Sequence, residues 1–158
     1  TANPTELHNR YPHLTDLLWF EWFEIEIYMM EDKQFPEGRD EGDFLTDTVV
    51  VNPEHKIVSL SFPVHVKNAK TINSEDKRAY FVLLFREPET GKVRFLDISQ
   101  FFALLIENLK KGFDLISVIK EFQKQLPGST MEQLTENTLP FIRKLREIRF
   151  ITGFKPNA

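Results

Sequence analysis

The stretch from Pro12 to Met30, PHLTDLLWFEWFEIEIYMM, constrains the fold more than any other part of the chain. Leu14, Leu17, Leu18, Ile25 and Met29 fall on one helical face, and Trp19, Phe20, Trp22, Phe23, Ile27 and Met30 cover much of the remainder. A helix that is apolar on nearly every side is ordinarily enclosed by protein. The spacing therefore predicts a central buried helix over residues 13–31, with Trp19 and Trp22 in the core and the carboxylates confined to a narrow stripe.

Downstream the hydrophobic period changes twice. Residues 31–47 are acidic and carry Pro36, Gly38 and Gly42, which predicts a solvated mobile loop. The β-branched run TVVV at 48–51 opens a strand-rich region. In 57–66, Val58, Leu60, Phe62, Val64 and Val66 alternate with more polar residues, the period of a half-buried strand. Pro63 has no N–H to give to a ladder, so an edge strand or a bulge is expected there. AYFVLLFR at 79–86 is apolar on both faces and reads as a central strand, turned by Glu87–Gly91 into a hairpin with VRFLD at 93–97.

From Asp97 the period becomes helical. The pattern predicts helices over 98–110, capped by Gly112, and over 114–125, opened by Asp114. A third helix is expected to begin at a Ser129–Glu132 capping box and to be kinked or split by Pro140, with strand character returning in 149–154. The fold class that follows is α+β: an N-terminal helix on an antiparallel meander (13–97), then a three-helix, winged-helix-like segment with a short final strand (98–158), together forming one compact unit. Residues 1–12 read as a polar arm or linker from an upstream domain, since the chain opens at Thr1 without a Met.

Composition narrows the chemistry. The chain has no cysteine, which excludes disulfide frameworks, thiolate metal sites and cysteine nucleophiles, and is compatible with a reducing cytoplasm. Its net charge of −4 is unevenly spread. Residues 1–97 hold 11 Lys and Arg against 18 Asp and Glu, whereas residues 98–158 hold 9 against 6. The six glycines never approach the spacing of a phosphate-cradling loop, and no serine stands in a nucleophile-elbow motif.

His8, His13, His55 and His65 are scattered, with no helical ligand pair. Glu21 and Glu24, three apart, share a helix face and could bridge a di-iron centre, but the Glu-x-x-His partners of that architecture are missing. Ion pairing or hydrogen bonding is the expected fate of both carboxylates. No catalytic residue, metal site or cofactor is predicted, so the chain is expected not to be an enzyme. The basic residues Arg143, Lys144, Arg146 and Arg149 interleave with apolar ones on the third helix. They keep open a DNA-binding regulator that reads duplex through 130–149.

Taken in order, the segments YPHLTDLLWFEWFEIEI (11–27), SFPVHV (61–66), YFVLLFREPETGKVRFLDIS (80–99) and LREIRFITGF (145–154) resemble the C-terminal domain of the HvfC-type, MbnC-like bacterial family. The most specific elements are Tyr11-Pro12, Glu21-Trp22 with Glu24, and Pro63-Val64-His65. The resemblance implies an adaptor that helps present the leader of a ribosomal peptide to a multinuclear-iron modifying enzyme, itself holding no catalytic metal. It carries over Glu21, Trp22, Glu24, Pro63 and His65 as candidate partner-binding or peptide-binding residues. Family labels that mention DNA binding keep transcriptional regulation as the alternative.

Overall fold

Among the described residues, α-helices and two antiparallel sheets combine in the α+β class the sequence implies. The computed structural model describes Glu6 and residues 9–156. The remaining residues of the predicted arm, 1–5, 7 and 8, lie outside the described residues, as do 157 and 158 of the C-terminal segment. The chain divides into two compact units: one takes the residues up to Glu31, Glu54–Arg86 and Thr90–Ala103, and the other takes Asp32–Pro53, Glu87–Glu89 and the residues from Leu104 on.

The first unit is a helix on a sheet. Strands β2 (His55–Leu60), β3 (Tyr80–Arg86) and β4 (Val93–Ile98) pair antiparallel in that order, so β2 and β4 form the edges. Val82, Leu83, Leu84 and Phe85 are all fully buried, as a strand apolar on both faces should be at the centre of a sheet. Helix α1 (Leu14–Met29) lies across one face. There Phe20 and Ile27 join Val58, Leu60, Phe62, Val64, Ile72, Val82 and Leu84 in one core, flanked by Leu17, Phe23 and Met30. Removing each large apolar side chain from water contributes roughly 1.5–3 kcal/mol.

Two charged side chains fix the ends of α1. In its first turn, Asp16 Oδ2 accepts from the backbone N–H groups of Ser61 (2.6 Å) and Phe62 (2.8 Å). At the other end, Arg86 Nη1 donates to the Tyr28 and Met30 carbonyls at 3.1 and 2.9 Å, supplying donors that a helix terminus lacks. The guanidinium is held in place by the buried carboxylate of Glu54, which accepts from its Nε and Nη2.

Two sequence expectations need correcting here. The alternating run at 57–66 is not one strand: β2 ends at Leu60, and residues 61–66 turn back on themselves. Pro63 sits inside that turn, its carbonyl accepting from the N–H groups of Val66 (3.2 Å) and Lys67 (2.9 Å), and Phe62, Val64 and His65 are buried by the turn and not by a ladder. The helix, too, is buried along one face only. A single helix lying on one sheet covers just the stripe that meets the sheet, which here leaves Phe20 and Ile27 as its buried residues.

In the second unit β1 (Val49–Val51) leaves the predicted meander and pairs antiparallel with β5 (Ile151–Phe154), a partner about a hundred residues away. Helices α2 (Gln100–Lys110, from Leu104 on within this unit), α3 (Leu115–Gln125) and α4 (Met131–Glu147) bury Leu105, Ile106, Leu109, Leu115, Ile119, Ile142 and Leu145. Asp114 caps α3 by accepting from Ser117 N–H at 2.9 Å, and Gly112 takes φ +98° after α2, both as the sequence indicates. The capping box of α4 is Thr130 with Gln133, one residue later than expected, and Pro140 lies within a continuous helix that is not split.

The acidic loop is pinned and not free. Arg39 and Phe154 exchange backbone hydrogen bonds of 2.6 and 2.9 Å, and Ile116 N–H reaches the Leu45 carbonyl at 3.0 Å. Gly153 makes this approach possible: a Cβ there would stand 2.7 Å from the Arg39 carbonyl oxygen.

Candidate functional site

The outer face of α1 is the most unusual surface of the first unit. Leu18, Trp19, Trp22, Ile25 and Met29 are 59, 52, 54, 52 and 71% exposed, and Tyr28 is exposed as well. The expectation that Trp19 and Trp22 are core residues is thereby overturned. Residues 18, 22, 25 and 29 follow one another at spacings of four, three and four, the repeat of a coiled-coil seam. On that repeat Phe20 and Ile27 occupy the opposite side of the helix, the side that meets the sheet. Thr15, Leu18, Trp19 and Trp22 surround a shallow cleft of about 580 Å³.

A second, smaller groove of about 280 Å³ runs between α1 and edge strand β2, lined by Asp16, Trp19, Phe23, Ser59 and Leu60. Trp19 and Phe23 stack on each other with ring centroids 5.7 Å apart and form its helical wall. Lys56 Nζ lies 4.7 Å above the Phe23 ring and also pairs with Glu26 at 2.8 Å, which holds that wall upright. The Arg86 N–H bonds the Glu54 carbonyl, which sets the phase of the β2–β3 ladder. By that phase the backbone N–H and C=O of Ile57 and Ser59 are directed away from β3.

Of the candidate residues, Glu21 and Trp22 stand on the exposed side of α1. Glu24 is partly buried, and its carboxyl is pushed above the usual carboxylate range, first by loss of hydration and then by the charge of Glu21. No ion pair or hydrogen bond to either carboxylate is seen among the described residues, so the ion pairing or hydrogen bonding expected of them is not found. Pro63 is buried in its turn.

The His65 side chain is fully enclosed, with Phe20, Tyr80 and Phe95 ring centroids 6.1, 5.9 and 6.4 Å away. Its Nε2 meets Asp97 Oδ1 at 2.7 Å on edge strand β4, and its Nδ1 is buried without a hydrogen-bond partner. The five candidates are therefore not gathered into one site: Glu21 and Trp22 face outward, while Pro63 and His65 lie in the interior.

The basic residues of α4 are divided in the same way. Arg143 and Lys144 are exposed, but Arg146 donates to the Asp40 and Ile151 carbonyls at 3.3 and 3.4 Å. Arg149, with φ +70°, pairs with Glu89 at 3.0 Å. Among the described residues no three His, Asp or Glu side chains are grouped to hold a metal ion, and no helix is long and apolar enough to cross a membrane.

Sequence reasoning missed the α1–β2 groove and the exposure of the seam. The signal for the seam was present as the four-three-four spacing, but the apolar residues around it hid the repeat.

Fold and surfaces together define a small α+β module whose distinctive features are an aromatic helix face and the edges of a short sheet. The chain belongs to the HvfC C-terminal domain family, whose model matches residues 52–146, from just before β2 to the end of α4. At a coarse level that membership makes it a partner-type protein. No match was found among curated proteins or among solved structures.

Proposed function

We propose that this chain is a non-catalytic adaptor of ribosomal peptide maturation in the cytoplasm, binding the leader of a precursor peptide and the multinuclear-iron enzyme that modifies it. The observation that carries this reading is the groove between α1 and β2, where an aromatic wall stands beside an edge strand. An extended peptide entering it pairs with the outward backbone groups of Ile57 and Ser59 and lays an apolar side chain against Trp19 and Phe23. Main-chain pairing supplies affinity in this mode, and the pocket for alternate side chains supplies selectivity.

The non-catalytic part of the reading is supported by the dispersal of the titratable candidates. Glu21 is solvent-facing, whereas His65 is walled in by three aromatic rings with its Nε2 engaged by Asp97, so the two do not converge on a common point.

Titration calorimetry of the intact chain with the leader peptide, and separately with the iron enzyme, tests the proposal. Saturable binding to both is expected. N-methylating alternate amides of the leader should abolish binding in one phase and spare it in the other, as a strand addition requires. A chain that binds neither molecule, or a leader indifferent to N-methylation in both phases, refutes the respective half.

A further inference from the structure

The outward seam of α1 is separate from the peptide groove except at Trp19, which borders both. It also lies outside the stretch that matches the family. Four large apolar side chains, Leu18, Trp22, Ile25 and Met29, project along about three helical turns at the spacing by which one helix packs on another. Such a seam is left uncovered on a water-soluble surface chiefly where another molecule is to cover it.

Charge selects among the molecules that could do so. Helix α1 carries Asp16, Glu21, Glu24 and Glu26 and not one Lys or Arg. Asp16 is committed to the Ser61 and Phe62 amides, and Glu26 to Lys56. Among the described residues Glu21, at the edge of the seam, and the partly buried Glu24, one turn on along the same side of the helix, have no opposite charge against them.

A second copy of the chain fits this surface badly. In a coiled-coil register about residues 18, 22, 25 and 29, Glu21 takes one flanking position and Glu26 the other. Antiparallel pairing of two copies sets Glu21 against Glu21, like charges that repel, and parallel pairing sets Glu21 against Glu26, which is already paired with Lys56, so neither arrangement brings Glu21 an opposite charge of its own. Anionic lipid and nucleic acid are repelled by the same flank. A cationic amphipathic helix is matched on every count: its apolar ridge enters the seam, one anchor fills the Trp19–Trp22 cleft, and its Lys or Arg residues neutralise Glu21 and Glu24.

We infer that the α1 seam is the docking site for a helix of the partner enzyme that bears apolar residues at heptad spacing and a Lys or Arg flank facing Glu21 and Glu24. This rests on the adaptor reading above and gives the enzyme a surface of its own, apart from that of the leader peptide.

Two variants test the inference, Glu21→Lys/Glu24→Lys and Trp22→Ser/Ile25→Ser, with folding checked by circular dichroism and affinities for the enzyme and the leader measured in parallel. The charge-reversed variant should lose about a hundredfold in enzyme affinity at low salt, and less at high salt. The apolar variant should lose at least about thirtyfold at either salt. Both should bind the leader peptide within about threefold of the parent chain.

If both bind the enzyme as the parent chain does, the seam is not the docking site, while the adaptor reading stands. A parent chain that binds no enzyme overturns that reading and this inference together. A concentration-dependent dimer in sedimentation equilibrium that Trp22→Ser/Ile25→Ser abolishes would give the seam to a second copy of the chain and overturn the inference as well.

Discussion

Replacing Arg86 by Met removes the residue that ties the end of α1 to the sheet. The guanidinium donates to two carbonyls of the last helical turn and pairs with Glu54, both side chains being almost wholly removed from water. Met retains much of the apolar stem but removes the Arg86 cation from the buried Glu54 carboxylate and these donors from the Tyr28 and Met30 carbonyls. Breaking a buried pair from one side costs roughly 3–5 kcal/mol. At this chain length such a loss lowers Tm by about 10 °C.

Glu54→Gln leaves the Arg86 bonds to the helix intact and should cost roughly 1–3 kcal/mol. In the double variant no buried carboxylate is stranded, so its cost should fall short of the sum of the two single ones by roughly 1–3 kcal/mol. Urea denaturation followed by tryptophan fluorescence measures all three variants, since Trp19 and Trp22 both lie on α1. An Arg86→Met cost below about 1 kcal/mol, or strict additivity of the pair, would refute the view that this cluster anchors the helix and the seam it displays.

Further outcomes follow from particular residues. Gly153→Ala forces a Cβ to within 2.7 Å of the Arg39 carbonyl and should destabilise by roughly 1–3 kcal/mol in urea melts, whereas Gly128→Ala, with nothing within 4 Å, should shift the midpoint very little. Glu24 holds its proton more tightly folded than unfolded, so its contribution is fully present at pH below its ordinary value of 4.5 and is lost as pH rises through the raised folded value. Glu24→Gln should accordingly raise stability at pH 7 and leave it unchanged at pH 3; a variant that is less stable at pH 7 contradicts the burial and Glu21 causes. Fluorescence anisotropy of labelled duplex DNA at low salt should stay flat, because Arg146 and Arg149 are engaged within the chain. Salt-dependent binding that Arg143→Ala/Lys144→Ala weakens would favour the regulator reading instead.

Legibility of the fold in the sequence tracked how local each signal was. Strand β3 was plain because seven consecutive residues, Ala79 to Phe85, carry apolar side chains to both faces, and the Asp114 and Gly112 caps were plain because their chemistry acts within four residues. The pairing of β1 with β5 was invisible, since nothing in Val49–Val51 names Ile151–Phe154 as its partner across the chain. The alternation of Phe62 and Val64 prolonged an apparent strand past its end. Burial in a turn places apolar residues with the same spacing, and the Asp16 carboxylate that takes the Ser61 and Phe62 amides lies some 45 residues upstream.

Helix α1 shows a deeper limit. Periodicity reports how many sides of a helix avoid water, but not whether this chain or another molecule covers them. Phe20 and Ile27 found their cover in the sheet. Trp22, Ile25 and Met29 did not, and the candidate site was misjudged for that reason.

Whether the chain works by contact alone is decided most directly by mixing it with the iron enzyme and leader peptide proposed as its partners and weighing the product by analytical ultracentrifugation. A complex containing all three components, with the chain alone leaving the peptide unmodified, is the result expected. Modification of the peptide by this chain without the enzyme, or an enzyme–peptide complex that forms and turns over equally well when the chain is left out, would contradict the account.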